Sequence, residues 1–139
     1  MKKLGLLVSL FLFFIVSCSE DSSSPNLTGM WQLKTIQEAE GNPQTVDTVF
    51  YSFQHKQQFS CTVLTRDEIG RDHSVIFYGY TDFPSENTMH IEIDKAYNNS
   101  YTKPHIPWDG METTYSILKK DSKTLILGQD SKVLNFIRY

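Results

Sequence analysis

The sequence predicts an all-β fold, an eight-stranded up-and-down antiparallel barrel, and three observations carry that expectation. Apolar and polar residues alternate with period two through nearly every segment after residue 27. β-branched and aromatic residues dominate those segments. The connections between them are of two kinds, long loops with Gly and Pro or tight polar turns, and the two kinds alternate along the chain.

The expected strands are Met30–Ile36, Val46–Phe53, Gln57–Thr65, His73–Asp82, Thr88–Asp94, Glu112–Leu118, Thr124–Leu127 and Val133–Arg138. On the first, Trp31 and Leu33 turn inward and Gln32 and Lys34 outward. The second turns in Val49, Tyr51 and Phe53, and the third Phe59, Cys61 and Val63, leaving Ser60 and Thr62 outside. The fourth, "VIFYGY", is apolar on both faces; Val75 and Phe77 are placed inside, and Gly79 marks a bend or bulge. The fifth buries Met89, Ile91 and Ile93 and exposes His90, Glu92 and Asp94. Tyr115, Ile117, Leu125, Leu127, Leu134 and Phe136 complete the inner face.

With strands running up and down in order, the loops "QEAEGNPQT", "RDEIGRD", "KAYNNSYTKPHIPWDGM" and "GQDSK" share one end. The turns "QHK", "FPSEN" and "KKDSK" share the other. One end is therefore a mouth and the other is closed. A barrel of about eight strands is just wide enough to fill with side chains or to hold one small ligand, and closure removes exposed strand edges.

The first 26 residues have a different character. Lys2 and Lys3 precede an apolar run, Leu4 to Val16, too short for a spanning helix, which needs about 20 apolar residues. Ile15-Val16-Ser17-Cys18 resembles a bacterial lipobox. The resemblance implies a signal peptide at 1–17 whose helix is removed, lipidation (palmitate-type acylation) of Cys18, and a flexible tether through residue 26, ahead of a barrel domain at 27–139. Two or more acyl chains hold a protein on a membrane durably, at about 0.8 kcal/mol per buried methylene. Ser19-Glu20-Asp21 also resembles the acidic export signal of surface lipoproteins in Bacteroidetes. With Cys18 modified, Cys61 is left alone between apolar residues and reads as a core thiol.

Losing Lys2 and Lys3 leaves 11 basic against 16 acidic side chains, a balance that disfavours nucleic acid. There is no nucleophile elbow, phosphate loop or zinc spacing. His55, His73, His90 and His105 are scattered and read as surface residues. No enzyme activity, metal or cofactor is expected, and the chain is expected to be a monomer. Asp47-Thr48-Val49 resembles the acceptor of Bacteroidetes O-glycosylation, which makes Thr48 a candidate modification site.

Gly29-Met30-Trp31 in "LTGMWQLKTI" is similar to the Gly-x-Trp of the lipocalin and calycin proteins, and "NFIRY" places Arg138 where that group carries a basic residue near the barrel's end. The resemblance implies that Arg138 packs over Trp31 as a cation–π plug of the closed end. Together with the lipobox, the sequence resembles the small lipocalin-like lipoproteins of Bacteroidetes. It departs from a typical lipocalin in being short and in having neither a C-terminal helix nor the middle-loop motif.

Two functions follow as expectations. The first is a membrane-anchored binding calyx in the outer membrane of the cell envelope, for a small apolar or amphipathic ligand. Tyr51, Phe77, Met89 and Tyr115 would line its cavity, and Tyr97, Tyr101, His105 and Trp108 its rim. The second is a non-enzymatic interaction module, a solid barrel offering its loops to a protein or glycan. A cavity beneath the long loop discriminates the two.

Overall fold

The computed structural model describes residues 26–139. The signal peptide, Cys18 and nearly all of the tether lie outside the described residues. The strands are β1 (Gly29–Glu38), β2 (Gln44–Thr45), β3 (Val49–Phe53), β4 (Gln58–Arg66), β5 (Asp72–Ser85), β6 (Thr88–Ile93), β7 (Glu112–Lys120), β8 (Thr124–Gln129) and β9 (Lys132–Arg138). All neighbours pair antiparallel in chain order, β2 is a short flap on β1, and β1 pairs with β9 to close an eight-stranded barrel.

Period-two patterning accounts for the interior. Trp31, Leu33, Tyr51, Phe59, Cys61, Phe77, Met89, Ile91, Tyr115, Leu125, Leu127 and Phe136 are all buried, as the alternation requires. Val63 and Ile117 are only partly buried. Ser60, expected outside, is buried at 9% exposure. Ser52 and Tyr78 flank it in register on the neighbouring strands, and so small a side chain is shaded by the tyrosine beside it.

The second strand is shorter than its pattern. Gln44 and Thr45 pair with β1, the chain bends at 46–48, and β3 starts only at Val49. Polar contacts hold the bend: Gln32 Nε2 donates to Asp47 O at 2.9 Å, the Asp47 carboxylate is ion-paired with Lys34, and Leu64 N–H donates to Thr48 O at 2.8 Å. Thr48 is thus an exposed bend residue and not a strand residue. The fifth expected strand also stops one residue early, because Asp94 leaves the sheet to cap the turn at Lys95–Tyr97, accepting from Ala96 N–H at 2.9 Å.

Gly79 lies where β5 changes partner. Residues 72–80 of this 14-residue strand pair with β4, and residues 79–85 with β6. A Cβ at Gly79 would strike the Glu92 carbonyl and come within 2.9 Å of Ile93 Cα. Only glycine lets two backbones meet so closely at a barrel corner. The register shift in β5 lies further on, between Asp82 and Ser85.

The closed end gathers the chain's first and last described segments. The Arg138 guanidinium lies over the Trp31 ring, 4.3 Å from its centroid. It also donates from Nη1 to Thr28 O at 2.9 Å and from Nε to Ser122 O at 2.8 Å. Trp31 Nε1 donates to Leu27 O at 2.9 Å. Gly29, at φ +127°, leaves the space that Arg138 occupies.

Gly79→Ala is expected to destabilise the barrel by about 1–3 kcal/mol or more, since backbone cannot move aside as a side chain can. Urea denaturation of the variant checks this, and an unchanged midpoint would refute the corner.

Candidate functional site

The loop from Asp94 to Met111 builds the site at the mouth. The Asn99 side chain braces it. Asn99 Oδ1 accepts from Tyr101 N–H at 3.0 Å, Thr102 N–H at 2.9 Å and the Thr102 hydroxyl at 3.1 Å, while Nδ2 donates to Ala96 O at 3.2 Å. Pro104 then starts a short 3₁₀ turn, and Thr102 and Ile106 are buried beneath the loop. This scaffold swings the chain back across the barrel mouth and delivers Trp108 onto the core.

Trp108 meets the Tyr51 ring edge-on at 5.9 Å, Tyr115 at 6.5 Å and Phe59 at a tilt at 6.3 Å. Such geometry is the preferred one for aromatic pairs. Its indole N–H is buried and has no hydrogen-bond partner. An orphaned donor of this kind costs about 1–3 kcal/mol.

Beneath Trp108 lies a buried polar pair. The Tyr51 and Tyr115 hydroxyls are 3.0 Å apart, and either can donate. Burial pushes Tyr115 up to about 12, with hydrogen bonds from Tyr51 and Thr113 pulling the other way. Burial also raises Tyr51 well above its ordinary value, helped by nearby Tyr115 and Cys61. The Cys61 thiol is likewise raised by burial and stays protonated, so it is a packing group and not a nucleophile. Gln129 Nε2 donates to Thr113 Oγ1, which ties the rim to this inner cluster.

A cleft of about 650 Å³ opens beside Trp108. Its apolar side is Ile36, Leu134, Pro107 and Trp108. Its polar side includes Thr113 and Gln129, with Asp130 and Ser131 from the turn joining β8 to β9 and with Glu112 and Lys132 at its edge.

The expected cavity residues Tyr51, Phe77, Met89 and Tyr115 do face the barrel axis, but they fill it. Tyr51, Phe77 and Met89 have no surface open to a water molecule and Tyr115 only 1%. Of the four expected rim residues, only Trp108 lines the cleft. Tyr97 is half-buried against the core's edge and beside Tyr78 at 6.1 Å, outside the cleft, and Tyr101 is 62% exposed with His105 beside it at 6.2 Å. The loop's second turn carries these two away from the mouth. Sequence reasoning missed Ile36, Thr113, Gln129 and Leu134. Leu134 was legible as an inner-face residue but not as part of a site; Ile36, Thr113 and Gln129 meet it only through the barrel's closure. Among the described residues no three His, Cys, Asp or Glu side chains gather to hold a metal.

A lipocalin-like domain matches residues 11–139. This chain belongs to the lipocalin-like family. A lipocalin-like protein from Bacteroides uniformis is similar in structure, with a TM-score of 0.70 and 25% identity over 83% of this chain and all of that one. An uncharacterized protein from Bacteroides eggerthii superposes with a TM-score of 0.63 and 25% identity over 81% of this chain and 98% of its own. No curated protein matches the sequence. The lipocalin-like barrel is a module of the ligand-binding type, and here the volume open to a ligand is at the mouth rather than along the axis.

The two raised phenols make the lipocalin-like core sensitive to alkali. Their folded values exceed the unfolded value of about 10, so the stability they share is complete below that pH and is lost as pH rises through the folded values. In a spectrophotometric titration, two of the seven tyrosines should ionise late or only on unfolding, Tyr115 near pH 12 and Tyr51 well above the ordinary phenol range. Tyr51→Phe should leave one such late phenol; complete ionisation of all tyrosines near pH 10 in folded protein would contradict the burial.

Proposed function

We propose that this protein is a lipid-anchored envelope lipocalin that binds a small amphipathic molecule in the mouth cleft, without catalysis. The observation that carries the reading is Trp108. It forms one wall of the cleft and holds a buried N–H with no acceptor. A ligand with an apolar body and an acceptor oxygen would cover Ile36, Leu134 and the indole face. A small rotation of Trp108 would let the acceptor relieve the orphan donor. The polar rim at Thr113, Gln129 and Asp130 would take the ligand's hydrated end.

Cys18 would carry the acyl chains and hold the protein on the outer membrane, with the surface-exposed face an extension of the same reading. The first described residues sit at the closed end, where Arg138 bonds Thr28 O and Ser122 O. The anchored end would thus be the closed end, and the mouth would point away from the bilayer. No nucleic acid, metal or cofactor enters this reading, and a monomer suffices for it.

The filled interior favours a second reading, a solid interaction module that offers its loops to a protein or glycan. Two variants separate them. Trp108→Phe keeps an aromatic ring, though a smaller one, and deletes the orphan donor. It should stabilise the ligand-free protein by about 1 kcal/mol and weaken an acceptor-bearing amphiphile such as a fluorescent fatty acid. Trp108→Ala should weaken that probe about tenfold, equivalent to about 1.4 kcal/mol. No saturable probe binding to the wild type, by fluorescence titration, would leave the interaction module.

Orientation has its own check. Cys61 is buried, so a fluorophore on Asp109→Cys or Ser122→Cys would label one site. Bilayer-embedded quencher should dim the Ser122 label more; stronger quenching at Asp109 would reverse the orientation.

A further inference from the structure

The outer wall of β5 carries apolar side chains that the core does not use. Ile76, Tyr78 and Tyr80 are alternate residues of that strand and are 44%, 53% and 59% exposed. They stand about 6.6–6.8 Å apart along it. Tyrosine is a common strand residue, but three large side chains in a row on one outer face make a contiguous exposed stripe. Beside them the wall is indented by a groove of about 190 Å³, lined by Gln54, Gln58, Phe59, Tyr78, Gly79, Tyr80 and Asp94.

The chemistry of this groove is specific. Two phenol rings offer flat faces and hydroxyls. Two exposed glutamines offer both donors and acceptors. Asp94 is an acceptor held in place by its Oδ1 bond to Ala96 N–H at 2.9 Å. Tyr97 packs on Tyr78 at 6.1 Å and fixes that ring's orientation. The turn that presents Gln54 and Gln58 keeps two non-glycine residues, Lys56 at φ 60° and Gln57 at φ 63°, in the left-handed region, a strain that structures retain where geometry matters. No lysine or arginine lines the groove, and Asp94 with neighbouring Glu92 makes it acidic. Phosphate, sulfate and anionic headgroups are therefore poor occupants. A strip one strand wide is also too narrow for a stable protein interface, which needs about 800 Å² per partner.

We infer that this wall is a second binding site, distinct from the mouth, that takes an uncharged oligosaccharide. A pyranose ring has an apolar C–H face, which fits against a tyrosine face, and a rim of hydroxyls, which fits amides and a carboxylate. The row Ile76-Tyr78-Tyr80 would track successive sugar units, with one unit seated in the groove. The site lies on the barrel's flank, so a closed-end anchor and an open mouth leave it accessible. It does not depend on the mouth reading.

The test is isothermal titration of the full-length protein in uncharged detergent with cellohexaose, maltohexaose, mannohexaose and chitohexaose. At least one of them should bind saturably. Tyr80→Ala, and the Tyr78→Ala/Tyr80→Ala pair, should weaken that binding at least tenfold. Tyr80 is exposed, so Tyr80→Ala should melt as the wild type does; Tyr80→Phe, which keeps the ring face, should retain most of the affinity even where Tyr78→Ala perturbs packing on Tyr97. No binding to any of the four would overturn the inference. So would equal binding by the tyrosine variants, or a wild-type dimer in sedimentation that the tyrosine variants convert to monomer, which would make the stripe a contact between copies.

Discussion

The stack of Arg138 on Trp31 is the constraint on which the barrel depends. A sheet of eight strands closes only if its first and last members meet in register, and nothing in local propensity enforces a meeting between residues more than 100 positions apart. Trp31 and Arg138 are partners in the β1–β9 register, so the cation–π contact and the ladder enforce one another. The guanidinium also collects the Thr28 and Ser122 carbonyls, which binds the entry segment and the turn between β7 and β8 to the same point. Gly29 is the condition for this: a side chain there would occupy the place of the arginine.

Closing one end so firmly shifts the functional possibilities to the other. Trp31, Tyr51, Phe59, Phe77 and Phe136 are too bulky for a barrel of this size to remain hollow along its axis. The cleft beside Trp108 opens instead where the loop after β6 crosses the mouth. That loop is held by one asparagine side chain and two 3₁₀ turns, and its free energy includes an indole donor with no acceptor. The mouth is thus the part of the core whose packing is least complete in polar terms, while the tyrosine pair below it is satisfied and dry.

The outer wall obeys a different rule. Period-two alternation explains which face of β5 is inside but not why Ile76, Tyr78 and Tyr80 face water. Gly79 connects the two faces: its missing side chain lets β5 turn from β4 to β6, and the same corner leaves the groove between the tyrosines and Asp94.

The sequence by itself determined most of the strands, the inner face and the two kinds of barrel end. The period of two is local, and burial of one face follows from it directly; even Gly-x-Trp and the terminal arginine could be paired by their place on the first and last strands. The bend at 46–48 was not legible, because Lys34 and Gln32, which hold Asp47, come from another strand. Nor was the fate of the aromatic loop. Its composition is equally suited to a rim around a hollow barrel and to a plug over a full one. Only the tertiary structure decided that Trp108 turns in while Tyr101 and His105 turn out, because that choice rests on the space left between Tyr51, Phe59 and Tyr115, side chains brought together from three strands.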